Sequence, residues 1–151
     1  MGKVNSDEEI LEFAIAKEVE AYNFYLALAD RVDSPEIRKV FEGLAEEELE
    51  HKSRLELEVM KTGKTVAAKN LHARPDREYI ISDNQSLLDM DYKDLLLLGM
   101  EKEEASFRLY VNMMPTVQDE ESQEVLLALA EEEVKHKLRF ETEYDMLLKK
   151  A

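Results

Sequence analysis

The stretch Leu44-Ala45-Glu46-Glu47-Glu48-Leu49-Glu50-His51-Lys52 occurs a second time, 85 residues on, as Leu129-Ala130-Glu131-Glu132-Glu133-Val134-Lys135-His136-Lys137. The same offset carries Val40 onto Val125, Arg54 onto Arg139, Glu56 onto Glu141, Glu18 onto Glu103 and Tyr25 onto Tyr110. A chain built this way is an internal duplication of a two-helix unit. Each copy holds a Glu-x-x-His, Glu48 with His51 and Glu133 with His136. Residues three apart on a helix share a face, so one metal ion can meet both.

The rest of the sequence agrees with helix nearly throughout. Four Gly and three Pro in 151 residues, set among Glu, Leu, Ala, Lys and Met, argue for an all-α domain with one core. Ser6-Asp7-Glu8-Glu9 reads as a capping box that starts the first helix. Its apolar seam runs through Leu11, Ala14, Ile15, Ala21, Tyr22, Tyr25, Leu28, Ala29 and Val32, interrupted at Glu18. Ser34-Pro35 caps and restarts the chain as an antiparallel second helix, whose seam is Ile37, Phe41, Leu44, Leu55 and Val59, with Gly63 as its stop. That seam is interrupted at Glu48 and His51.

Periodicity is lost from Lys64 to about residue 90, where Arg74-Pro75-Asp76 and Ser82-Asp83-Asn84 are turn signals. A connection of that length is expected when a crossover runs the length of a bundle. The expected organisation is a single domain, 1–151, with a hairpin at 6–63, a crossover at 64–90 and a second hairpin at 91–149. The third helix starts near Asp91 and ends at Pro115, with its seam at Leu96, Met100, Phe107, Tyr110 and Met114, interrupted at Glu103. The fourth begins near Asp119 and packs through Leu126, Leu129, Phe140, Tyr144 and Leu147, interrupted at Glu133 and His136.

Each helix thus breaks an apolar seam only where a metal ligand would stand. Burying an unpaired carboxylate costs several kcal/mol, about enough to force protonation or unfolding; two divalent cations would balance four carboxylates. The duplication removes Glu20 and Glu50, whose counterparts are Ala105 and Lys135. Glu46 and Glu47 do repeat. Glu46 falls on the outer face, and Glu47, four residues before His51, competes with Glu48 until the seam 41-44-48-51-55 favours Glu48. Tyr25 and Tyr110 lie two turns after Glu18 and Glu103, either as core aromatics with a partnered hydroxyl or as donors to a ligand carboxylate. His72 reads as an exposed loop residue and the seven scattered Met as core filler.

The net charge of −15 works against a general field for nucleic acid or an anionic membrane. No Cys means no disulfide and no thiolate-bound zinc or iron. The acidic start lacks a secretory pattern, and the apolar runs, Leu95 to Leu98 and the six-residue Phe24–Ala29 and Val125–Ala130, are far short of the roughly 20 residues of a membrane helix. A cytoplasmic location is the expectation.

These residues resemble the rubrerythrin-like domains of the ferritin-like diiron-carboxylate superfamily. The resemblance spans the four helices and rests on Glu18 with Tyr25, Glu48-x-x-His51, Glu103 with Tyr110, and Glu133-x-x-His136. It implies a ferritin-like four-helix bundle with a long crossover that holds two iron ions, with manganese or zinc as alternatives. Glu48 and Glu133 correspond to bridging carboxylates, Glu18 and Glu103 to terminal ligands, and His51 and His136 to one nitrogen per metal. The implied activity is reduction of hydrogen peroxide or dioxygen, with a ferroxidase or iron-handling protein as the alternative; a structural bundle with vestigial ligands conflicts with the survival of all six. Two departures stand out. The positions three residues either side of Glu103 are Met100 and Ser106, where rubrerythrins carry a further Glu, and there is no rubredoxin domain. The expected partners are therefore a small-molecule oxidant and a separate electron-donor protein, with a homodimer compatible with the family.

Overall fold

The computed structural model describes residues 6–61 and 91–150. Its helices are α1 (Asp7–Arg31), α2 (Pro35–Met60), α3 (Tyr92–Met113) and α4 (Glu120–Lys150), with a 3₁₀ turn at Met114–Thr116. No strand occurs among the described residues. The expected crossover at 64–90, the stop at Gly63 and His72 lie outside them.

The helix starts follow from local chemistry. Ser6 accepts from the Glu9 backbone at 3.1 Å while the Glu9 carboxylate accepts from the Ser6 backbone at 3.1 Å, completing the capping box. Ser34 caps α2 with Pro35 in the first turn, and Asp91 caps α3 through the Asp94 backbone at 2.9 Å. Pro115 ends α3, and Asp119 accepts from the Ser122 backbone at 2.9 Å to start α4. Asp7 ties this corner to α1 by accepting from the backbone of Gln118 at 2.9 Å and Asp119 at 3.0 Å.

Two apolar clusters fill the bundle. One gathers Leu11, Ile15, Leu55, Val59, Tyr110, Leu126 and Leu129; the other gathers Phe24, Leu28, Phe41, Leu44, Leu95, Leu96 and Phe140. The start of α1 therefore meets the ends of α2 and α3 and the start of α4. With α1 running up, α2 and α3 both run down and α4 runs up. The end of α2 and the start of α3 lie at opposite ends of a bundle about 35 Å long, which is the geometry that requires a long connection. In α1 the buried residue is Phe24 rather than the expected Tyr22, which is half-buried at the edge of its cluster. Gly99 lets α3 approach α4, since a Cβ there would stand 2.8 Å from the Phe140 ring. No described helix is long and apolar enough to cross a membrane.

Candidate metal centre

Between the two apolar clusters lies a polar layer. Glu18 comes from α1, Glu48 and His51 from α2, Glu103 from α3, and Glu133 and His136 from α4, and each is no more than 2% exposed. Their donor atoms fall into two sets, each lying within 4.8 Å of one another: Glu18, Glu48, His51 and Glu133, and Glu48, Glu103, Glu133 and His136. Glu48 and Glu133 belong to both.

The duplication appears as a local twofold. His51 Nδ1 lies 3.1 Å from Glu48 and 3.5 Å from Glu18; His136 Nδ1 lies 3.2 Å from Glu133 and 3.4 Å from Glu103. The two imidazoles are nearly parallel, with centroids 5.9 Å apart. Each of four carboxylates and both imidazoles carries one buried atom without a hydrogen-bond partner: Glu18 Oε1, Glu48 Oε1, His51 Nδ1, Glu103 Oε1, Glu133 Oε1 and His136 Nδ1. Buried polar atoms are rarely left this way, and six converging oxygen and nitrogen donors have the chemistry of a divalent-cation site. The residues present fit a pair of metal ions.

The remaining atoms of the donors are held from outside, in ways the seam pattern only partly foretold. Tyr25 donates to Glu103 and Tyr110 to Glu18, so each tyrosine serves the carboxylate of the other hairpin rather than the one on its own helix. His51 Nε2 lies 2.7 Å from Glu132, which also accepts from Arg54 at 2.9 Å. In the mirror arrangement His136 Nε2 lies 2.6 Å from Glu47, with Arg139 at 3.5 Å. A carboxylate can only accept, so Nε2 carries the proton in both rings and Nδ1 is the nitrogen turned inward. Glu47 is thus the outer partner of the opposite histidine. The repetition of Glu47 with Arg54 at 85 residues was the signal available for this pair. Glu20, Glu46 and Glu50 are exposed.

Protonation follows the burial. Burial drives Glu18 up to about 7 and, helped by neighbouring carboxylates, pushes Glu48 and Glu133 well above the ordinary range. At Glu103 the same burial is outweighed by hydrogen bonds with His136, Glu133 and Tyr25, and the carboxyl is held below its ordinary value. Glu18 and Glu103 occupy equivalent places, so the difference reflects which member of a proton-sharing set stays ionised, while burial sets the upward direction of the cluster. Burial alone would lower the histidines; the carboxylates of Glu18 and Glu48 beside Nδ1 hold His51 up at about 12, and those of Glu103 and Glu133 hold His136 up at about 11, so without metal each Nδ1 also keeps a proton, which a bound ion would displace. Burial and the charge of Glu103 push the Tyr25 hydroxyl well up, so it remains a proton donor.

A family model described as Rubrerythrin matches residues 9–144. A solved structure of a hypothetical protein from Pyrococcus furiosus aligns with a TM-score of 0.69 and 27% identity, covering 95% of this chain and 91% of that one. No curated protein matches the sequence.

Proposed function

Because this chain belongs to the rubrerythrin family, we propose that it is a diiron-carboxylate oxidoreductase that reduces hydrogen peroxide, or dioxygen, at a dinuclear iron centre in the cytoplasm. Glu18 and His51 would hold one ion, Glu103 and His136 the other, and Glu48 and Glu133 would be shared between them. The observation that carries this reading is the convergence of six buried donors, each with one unpartnered atom, on two overlapping sets.

When bound, the two irons supply the electron pair that reduces peroxide, each molecule taking two electrons and two protons to give two waters, with electrons restored by a separate donor protein. The chain's own residues prepare that chemistry. Glu47 and Glu132 fix the imidazole tautomer and ring orientation from outside. Tyr25 and Tyr110 fix the terminal carboxylates across the hairpin boundary and hold a proton one bond from each. The apolar clusters above and below close the layer toward both ends of the bundle.

The test is elemental analysis of protein purified without added metal, then stopped-flow spectra of the ferrous form with peroxide and with dioxygen. Two irons per chain and faster oxidation by peroxide are expected. Zinc or manganese at full occupancy with no redox response would overturn the reading, since Glu and His donors suit several metals. A ferroxidase is the second reading. It is favoured by Met100 and Ser106 standing where rubrerythrins carry the extra carboxylate, which leaves a symmetric six-donor set. Dioxygen-driven oxidation of many more than two ferrous ions per chain would establish it instead.

A further inference from the structure

A cavity of about 310 Å³ opens on the face between α1 and α3 and runs inward to Tyr25, Glu48 and Glu103. It exists because small side chains, Ala21 on α1 and Ala105 and Ser106 on α3, face one another where larger ones would close the gap. Lys17 and Lys102, 85 residues apart and so equivalent in the two hairpins, line it together with Glu20. Lys17 lies 3.5 Å from Glu20 and 5.4 Å from the centroid of the Phe13 ring, while the Lys102 ammonium lies 5.2 Å from the centroid of the Phe24 ring. At the inner end, Glu48 and Glu103 each carry a buried oxygen without a partner.

At the mouth, Lys17 and Lys102 stand against Glu20, with Glu48 and Glu103 behind them at the inner end, so on a protein of net charge −15 the mouth is the less negative part of the opening. With Glu48 and Glu103 balanced by bound divalent ions, the two lysines at the mouth would favour a small anion over a further cation. The volume is at the lower end of small-molecule sites, about 300 Å³, and admits a molecule of a few atoms. The cavity reaches Tyr25, Glu48 and Glu103 and is not lined by their counterparts Tyr110, Glu133 and Glu18.

We propose that this α1/α3 cavity is the approach and first binding place of the centre's co-substrate, that the co-substrate class is a small anion such as a deprotonated peroxide or an inorganic oxyanion, and that it arrives on the Glu103–His136 side. The proposal rests on the metal-centre reading above and adds to it a side, a charge class and two selecting residues, Lys17 and Lys102.

The test loads the protein with Co(II), confirms two ions per chain, and titrates azide as the probe anion by visible absorption. The double variant Lys17→Glu/Lys102→Glu should bind azide roughly tenfold more weakly at low ionic strength, and Lys17→Gln/Lys102→Gln about threefold, with the gap narrowing in 0.5 M salt, conditions chosen on the order of a sub-nanometre screening length. Lys39→Glu/Lys149→Glu makes the same change in net charge at exposed positions elsewhere and should shift affinity by less than about twofold. Equal azide affinity in the two double Glu variants, with cobalt content intact, would overturn the cavity proposal and leave the metal centre standing. Failure of the native protein to take up cobalt would overturn both.

Discussion

Glu132→Ala removes the carboxylate that accepts from His51 Nε2 at 2.7 Å, and with it the acceptor for Arg54. The inner donors are untouched. Loss of an outer partner of a metal-binding imidazole lowers affinity by about 10–100-fold, or about 1.4–2.7 kcal/mol. The Glu132 side chain is 36% exposed, so solvent screens part of its charge and the lower end applies. The Arg54 ion pair, 39% exposed at the arginine, adds little of its own. The expected cost is about tenfold in the affinity of one ion.

The duplication sharpens this into a pattern. Glu132 serves His51 and Glu47 serves His136, so each variant should weaken one ion and spare the other. In a competition titration with Co(II) and a chromophoric chelator, the native protein should take up two ions of similar affinity. Glu132→Ala and Glu47→Ala should each split the curve into one unchanged and one weakened step, and Glu46→Ala, at an exposed position, should leave it unaltered. Unsplit curves in both variants, or loss of both ions together, would refute the assignment of Glu132 and Glu47 as separate outer partners.

Glu48→Ala or Glu133→Ala should lower bound metal far more than Glu50→Ala, because the first two belong to both donor sets; equal content by elemental analysis would sink the shared-ligand assignment. Metal-free protein should lose stability between pH 5 and pH 8. Glu18 is raised from 4.5 to about 7, with Glu48 and Glu133 also raised, and a raised folded pKa gives stability that is full below the unfolded value and lost as pH climbs through the folded one. The raised histidines act in the same sense from 6.5 upward, so urea midpoints in chelator that rise with pH would contradict the buried cluster. Gly99→Ala should cost about 1–3 kcal/mol by driving a methyl into the buried Phe140 ring, and a neutral effect on melting would show that the α3/α4 approach is looser than described. Ser106→Glu, which puts a carboxylate into the cavity one turn after Glu103, should change the ratio of peroxide to dioxygen rates in the diferrous protein; Met100→Glu is the poorer choice because Met100 packs on the apolar cluster around Phe41. An unchanged ratio would detach that position from the chemistry.

The four helices and the six inner donors were legible because both are properties of single helices. A seam at three-and-four spacing identifies the face that turns inward, and a charged residue on that face stands out without knowledge of any partner. Capping at Ser6, Ser34 and Asp91 is equally local. What the seam could not rank was Glu47. It sits one residue from the inward face, and its role is set by how α2 lies against α4, which brings it to His136 rather than to the His51 of its own helix. The tyrosines show the same limit, since spacing within α1 pairs Tyr25 with Glu18, whereas the packing of α1 against α3 pairs it with Glu103. The cavity was hidden for a further reason: it is made by what Ala21, Ala105 and Ser106 fail to fill, and a pattern of small residues reads as helix propensity until two helices face each other.

The site therefore combines two kinds of symmetry. Its inner donors and their outer partners repeat with the duplication, so the two ions would sit in nearly equal fields. Its cavity does not repeat. Counterparts at 85 residues differ where space is decided: Ala21 is matched by Ser106, Glu20 by Ala105 and Phe24 by Leu109, and all six line the same opening. These substitutions lie within two turns of the terminal carboxylates and outside the six inner donors, so they shape access without changing the donor set. A duplicated scaffold can keep two ions matched, so that a two-electron oxidant draws on both, while unequal neighbours decide which of them a co-substrate meets first. By the proposed route that first contact would fall on the side of Glu103, the carboxylate held by Tyr25, and the difference between the halves is carried by side chains outside the six inner donors.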